Sequence, residues 1–409
     1  DMGWISFNEC VRRLENTIAT VEKMEKLNGH LYNWYDTRDL RVLHPSYVSA
    51  VDSGNMAGHL IVVSSTLNEW SGMLAAHLIG DIRGIGDTAS ILREVLAAIP
   101  DDRRSIRPLR RRLEERLEGF DTMLTSFKRD LAVASVRSIG LSVIAGEITA
   151  FTRDLDREIG SNDTKLLVDW ALRLHNNCEA HFSDAVFDRA NLDDVRGRLL
   201  QLGERARALA FGMDFSFLLN TERRLLSIGY NGEEQKLDES CYDLLASEAR
   251  LTSLFAIAKG DIPSEHWFRL GRPVATVLGQ ACLVSWSGSM FEYLMPPLVM
   301  HERQGGILNQ SNNLSIDRQI AYGKSLGVPW GVSESAFNAR DRELNYQYHN
   351  FGVPGLGLKR DLGNNVVIAP YASLLASQFK PREAVANLSR LDALGALGVY
   401  GYYDAIDFT

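Results

Sequence analysis

In the run LDESCYDLLASEARLTSLFAIAKGD, Cys241, Leu244, Glu248, Leu251 and Phe255 recur at steps of three and four. That spacing predicts one face of a helix, with Asp238 placed to cap its start. A glutamate inside an apolar stripe is costly unless it is paired, hydrogen-bonded or protonated. Such a setting raises a carboxyl pKa, as a general acid working near neutral pH requires. A second reading stays open: Glu248 at the helix edge, paired with Arg250 or a neighbouring lysine.

A second carboxylate, Glu334, lies in VPWGVSESAF, between Trp330 and Phe337, with Gly331 for backbone freedom and Ser333 and Ser335 as adjacent hydroxyls. A flat apolar platform beside an acid is the chemistry of a sugar site. Glycoside chemistry needs two carboxyls flanking one bond, and their separation decides retention or inversion. The competing reading makes Glu334 a turn or N-cap residue. Glu292, in SWSGSMFEYLMPP beside Trp286, Phe291 and Tyr293, ranks third. It is expected to bind substrate or support the site, or to anchor its loop against an arginine.

Trp34 and Asp36 could contact sugar hydroxyls by stacking and hydrogen bonding. Asp52 opens a DSGN turn leading a helix, which reads first as a cap and second as a binding residue. Tyr346, Tyr348, His349 and Asn350 form a polar-aromatic cluster, with His349 more simply a hydrogen-bonding loop residue than a metal ligand. Trp286, Trp330, Tyr346, Tyr348 and Phe351 are the expected walls of a groove. No HExxH, EF-hand, P-loop or dinucleotide fingerprint is present, and VSWSG and GVSES fall short of the GxSxG elbow. These motifs imply neither metal nor cofactor.

The elements that must hold these residues divide by composition. Residues 1 to about 80 carry two helical patterns around a polar, aromatic connector. From about 80 to 212 the chain is charged and helical, with Pro100, Pro108 and Gly119 as breaks. From Phe215 onward, aromatics, Gly and Pro return in loops between apolar helices. FSFLLNTERRLLSIGYN predicts a short hairpin with TERR as its turn. Helices with the informative residues in their connections would suit a closed ring of helix pairs, with substrate across one open end.

With 409 residues, 45% of them hydrophobic, one or two large domains are expected. A net charge of −8 argues against a nucleic-acid partner. The basic patch Arg103, Arg104, Arg107, Arg110, Arg111 and Arg112 runs into Glu114, Glu115 and Glu118, so a solvated helix face laced by ion pairs is expected. Cys10, Cys178, Cys241 and Cys282 are scattered without ligand spacing, which predicts reduced thiols and a reducing compartment. No apolar run reaches the roughly 18 residues that span a bilayer. Lacking a signal peptide and an initiator Met, the chain reads as a soluble piece of something longer.

Taken in order, HLYNWYDTRDL, SAVDSGNMAGHL, LDESCYDLLASEARLTSLFAIAKGDIPSEHWF, WSGSMFEYLMP, NNLSIDRQIAYGKSLGVPWGVSESAFN and YHNFGVPGLGLKRDLGNNVVIAPYAS resemble the central region of cyclic β-1,2-glucan synthases. That region is their glucoamylase-like cyclization domain, similar in fold to bacterial β-1,2-glucanases. The resemblance covers nearly the whole chain outside about 85 to 205. It implies an all-α fold, an (α/α)6 barrel or toroid with a helical insertion and a few short strands. Residues 1–84 would form the first part of the barrel, 85–212 the insertion and 213–409 the remainder. The family's region runs on past endings like YGYYDAIDFT, so a further helical segment is expected beyond Thr409.

The resemblance also implies an activity. Family members are large inner-membrane proteins that polymerise glucose from UDP-glucose in a separate glycosyltransferase domain. The segment like this one then closes linear β-1,2-glucan into a ring by intramolecular transglycosylation, and a phosphorylase-like domain follows. Expected partners are thus linear β-1,2-glucan and those domains of the same polypeptide, at the cytoplasmic face of the inner membrane. The family's two carboxylates fall on Glu248 and Glu334. A β linkage before and after implies a retaining double displacement, with Glu334 as nucleophile and Glu248 as acid/base, or the reverse. Hydrolysis by an endo-β-1,2-glucanase, a non-catalytic glucan-binding module and a helical scaffold are the rival readings.

Overall fold

The structure is a computed structural model that describes residues 2–73, 82–101, 104–127, 134–185 and 189–409. It falls into two compact units, one of residues 1–23 and 63–206 and the other of 24–62 and 207–409. Among the described residues the helices are α1 Phe7–Lys23, α2 Ala50–Gly72, α3 Arg83–Ala98, α4 Arg107–Phe127, α5 Ala134–Ile159, α6 Asn162–Ala185 and α7 Arg189–Phe211. They continue as α8 Arg250–Lys259, α9 Glu265–Arg269, α10 Met290–Leu294, α11 Ile307–Leu326, α12 Pro370–Ala376 and α13 Pro381–Ala393. Strands are short, and among the described residues their sheets hold two or three strands, so none closes into a barrel. Among the described residues the chain is mainly helical with a few short strands, as expected.

The first unit is built on helical periodicity. Ile85, Ala89, Leu92 and Leu96 of α3 are buried with Leu113, Leu117, Phe120 and Leu124 of α4. Leu141, Ala145 and Ile148 of α5 and Leu167, Ala171, Leu174 and Cys178 of α6 complete the same core. Each set repeats at alternating steps of four and three, so each helix turns one apolar stripe inward. On the outside of α4, Arg110 pairs with Glu114 and Arg111 with Glu115, one turn apart, as the charge pattern predicted; Arg103 lies outside the described residues. Pro100 separates α3 from α4, and Pro108 sits in the first turn of α4, where a missing N–H does no harm. Gly119 does not break that helix: it lies in mid-α4 facing open space.

The second unit carries the aromatic loops. Its core gathers Met290, Tyr293 and Leu294 of α10, Leu314 and Ile316 of α11, and Trp330, Val332, Phe351, Val353 and Ile368 from the connections. The hairpin around TERR forms as expected, Leu219–Asn220 against Leu225–Leu226. A longer hairpin pairs Ser335–Arg340 with Tyr346–His349.

One expectation fails here. Residues 238–249 are not helical, and α8 begins only at Arg250. Their backbone groups are committed elsewhere: Tyr242 N donates to Leu226 O at 2.9 Å, and Leu245 N to Gly271 O at 2.9 Å. Asp238 therefore caps no helix, and its carboxylate accepts from the Tyr47 hydroxyl at 3.1 Å. The Cys241–Phe255 spacing imitated a helical face across a segment that is extended in its first half. The four cysteines are free thiols, Cys178 and Cys282 buried, Cys10 and Cys241 half-buried.

Candidate active site

Glu248 sits in the turn that feeds α8, and its carbonyl accepts Leu251 N at 3.2 Å. The residue keeps part of its surface accessible, yet its carboxyl is enclosed by protein. Its neighbour Ser247 donates from Oγ to Oε2 at 3.2 Å. Burial, then the charges of Glu292 and Glu334, push its carboxyl well above the ordinary range. Arg250 does not pair with it. That guanidinium is fully buried and bonds Glu302 Oε1 at 2.9 Å.

Glu334 stands just before the 335–349 hairpin, on a segment clamped from two sides. Gln319 of α11 accepts Val332 N at 2.9 Å and donates to Val332 O at 2.7 Å. The Tyr371 hydroxyl lies 2.9 Å from Glu334 O and 2.8 Å from Ser333 Oγ, which itself accepts Phe291 N at 3.1 Å. Glu334 caps no helix. Burial and the charges of Glu292 and Asp52 raise its carboxyl to about 7, against the opposing pull of the Tyr348 phenol.

Glu292 is the third acid. It lies in a capping box with Ser289 at the start of α10. Its carboxylate accepts Ser285 Oγ at 2.8 Å, Trp286 N at 3.2 Å, Ser287 N at 3.1 Å, Ser287 Oγ at 2.6 Å and Ser289 N at 3.1 Å. With those lone pairs occupied it holds the 285–289 loop, rather than pairing its carboxylate with an arginine. The loop closes because Gly352 carries no side chain: a Cβ there would stand 1.7 Å from Ser287 O.

Asp52 lies inside the first turn of α2 rather than at its cap. Ser49 does the capping, its Oγ accepting Asp52 N at 3.2 Å. The Asp52 charge reaches Glu334, Tyr348, Tyr242 and Tyr47. Gly54, two residues on, allows α2 to meet α8 closely, since a Cβ there would fall 2.6 Å from the Thr252 Cα. Glu248, Glu334, Glu292 and Asp52 thus share one electrostatic neighbourhood. Tyr242 also belongs to it: burial and the charges of Glu248, Asp52 and Glu334 raise its phenol. Tyr242 and Tyr371 escaped the sequence reading, because neither sits in an aromatic–glycine loop of the kind that singled out the acids.

Other expected residues divide sharply. Trp286, Trp34, Tyr346 and Tyr348 are exposed, at 56%, 51%, 55% and 64%. Trp286 is held through its backbone N–H, which donates to Glu292 Oε1. Trp330 and Phe351 are not groove walls but core, at 5% and 4% exposure; the Trp330 backbone is held on both sides by Asn387. Asp36 is committed to its own loop, its carboxylate bonded by Arg38 at 2.6 Å and 3.0 Å with Arg41 beside it. That pairing holds the carboxyl far below its usual range, and leaves no oxygen free for sugar. His349 ends the second strand of the long hairpin rather than lying in a loop, its Nε2 2.9 Å from Lys359 Nζ and its ring edge-on to Phe351. Among the described residues no group of three or more His, Cys, Asp or Glu is arranged to hold a metal, and no helix is long and apolar enough to cross a membrane.

Residues 240–409, which contain Glu248, Glu292 and Glu334, match the family model Glycoamylase, a glucoamylase description. The whole chain aligns over 407 residues, at 60% identity, with the cyclic beta-(1,2)-glucan synthase NdvB of Rhizobium meliloti (strain 1021). It spans 14% of that relative's length. The resemblance drawn from the motifs is borne out: the chain is similar throughout to one segment of such a synthase, and its residues 240–409 are similar to glucoamylases.

Proposed function

We propose that this chain, the counterpart of one segment of a much longer cyclic glucan synthase, closes linear β-1,2-glucan into a ring by anomer-retaining intramolecular transglycosylation. The observation that carries the reading is the shared neighbourhood of Glu248 and Glu334, two enclosed carboxyls, both raised, with a charge on one felt by the other. Raised acids beside exposed tryptophan and tyrosine are the equipment of a glycoside-processing cleft.

In the proposed reaction the Glu334 carboxylate attacks C1 of an internal glucosyl unit. Glu248 gives its proton to the departing O2, and a glycosyl ester forms with inversion at C1. The 2-hydroxyl at the non-reducing end of the same chain then attacks that C1. Glu248, now a carboxylate, takes the hydroxyl proton, Glu334 departs, and the second inversion restores β. Holding the acceptor on the same polymer raises its effective concentration over that of a free chain. In this reading Trp286, Tyr346 and Tyr348 line the sugar path, with Trp34 and Asp52 on the flanking segments.

The parent context follows the same reading: a glycosyltransferase domain and a phosphorylase-like domain in one polypeptide, at the cytoplasmic face of the bacterial inner membrane. An (α/α)6 ring, with 85–212 as its insertion, is the architecture proposed for the cleft.

Glu248→Gln and Glu334→Gln, assayed on linear β-1,2-glucan, test the proposal. Each is expected to lose at least about a thousandfold in rate while remaining folded. Near wild-type cyclisation by either variant sinks the pair. Reducing ends accumulating in the wild-type reaction, in place of rings, would make the enzyme a hydrolase.

A further inference from the structure

Behind the acids lies a buried cation that the proposed reaction does not use. Arg250 is fully buried, and its planar fork meets four oxygens. Nη1 donates to Ser247 O at 3.0 Å and Glu292 O at 2.9 Å, and Nη2 to Tyr293 O at 2.7 Å and Glu302 Oε1 at 2.9 Å. Ser247 precedes Glu248, and Glu292 and Tyr293 belong to the short helix α10, whose last carbonyls have no partner within it. One side chain therefore ties the turn bearing Glu248 to the helix bearing Glu292. Glu302 is itself held, its Oε2 accepting Asn312 Nδ2 of α11 at 2.6 Å.

We infer that Arg250 is a positioning residue of this site, fixing the Glu248 turn against α10, and that Glu302 holds it there as its counter-charge. The inference rests on the reading of Glu248 as the acid/base. Lysine cannot replace the fork: its donors radiate from one nitrogen and cannot meet four acceptors spread around a plane. The counter-charge matters because an unbalanced cation beside Glu248 would favour its carboxylate. The groups facing Glu248 are otherwise anionic or phenolic: Glu292 on α10, Glu334 before the hairpin, and Tyr242 on its own segment. Both terminal nitrogens of Arg250 are spent on carbonyls and Glu302 rather than on those groups, and its buried Nε has no partner.

The test uses the 409-residue chain acting on linear β-1,2-glucan. For Arg250→Lys we expect kcat to fall about tenfold or more, with KM within about threefold, since the acid is misplaced while the sugar path is intact. For Glu302→Gln, which keeps an acceptor but removes the charge, the alkaline limb of the pH–rate profile should move down by about half a unit or more. A folded Arg250→Lys with wild-type kcat, or a Glu302→Gln whose alkaline limb stays in place, overturns the inference. If Arg250→Lys does not fold, Glu302→Gln decides alone. Wild-type protein inert on the glucan would instead sink the underlying reading. The bracket is then judged without substrate, by carbon-13 titration of the Glu248 carboxyl assigned with Glu248→Gln. A lower midpoint in Glu302→Gln supports it and an unchanged one overturns it.

Discussion

The phenol of Tyr348 stands as a donor toward the carboxyl of Glu334 and favours its ionised form. Strand register explains the meeting. Tyr348 faces Ala336 across the hairpin, and side chains two residues apart on a strand share a face. Glu334, two residues before Ala336, comes under the same tyrosine as a diagonal neighbour. Of the forces on Glu334, this donor pulls its pKa down, while burial, Glu292 and Asp52 push it up to about 7.

Removing that hydroxyl has a defined sign. In Tyr348→Phe the carboxylate loses a stabilising donor, so the Glu334 pKa rises further. A nucleophile must be ionised, and the acid limb of the pH–rate profile should therefore move up by about half a unit to one unit. Rates well above that limb should change less than rates below it. An acid limb that stays put, or moves down, would show that Glu334 is not the group that must be ionised.

Glu292 makes a different prediction, because its carboxylate is buried and fully engaged. In Glu292→Gln an amide N–H₂ replaces one oxygen and meets the donors of the 285–289 loop. Losing charge-assisted bonds in a buried place should destabilise the fold by about 3 kcal/mol, read from denaturant midpoints. It also removes a charge that raises both Glu248 and Glu334, so both limbs of the profile should move to lower pH. Loss of stability with no movement of either limb would leave Glu292 a loop anchor with no electrostatic part in the site.

How far the site could be read in advance depended on where each residue's partners lie. Helices α3 to α6 were legible because a stripe repeating every three to four residues has one way to be buried. Glu248 and Glu334 were legible as acids in apolar company, but the local structure of Glu248 was not. Leu245, Ala246 and Ser247 are buried one after another, a pattern set by the bridges to Ser227 and Gly271 rather than by helical period. Trp286 and Trp330 present the same signal, a tryptophan near glycine and serine, and end on opposite sides. The difference is Asn387, 57 residues away, which fixes the Trp330 backbone. Asp36 was misread because its partners Arg38 and Arg41 could be seen in the sequence but not their turn toward it.

The division of labour between Glu334 and Glu248 can be separated by the stereochemistry of rescue. A β-1,2-linked glucooligosaccharide carrying an aryl leaving group would be the substrate, with azide as external nucleophile. If Glu334 is the nucleophile, Glu334→Ala leaves the face opposite the leaving group empty. Azide attacking there inverts the centre once and gives the α-azide. In Glu248→Ala the glycosyl ester still forms, because the aryl group leaves unaided, and azide then opens it by a second inversion to give the β-azide. Each variant should be accelerated by azide at least about tenfold, a range typical of what one positioned group contributes. The β-azide from Glu334→Ala together with the α-azide from Glu248→Ala would exchange the two roles. Both products α, or both β, would sink the double displacement through this pair.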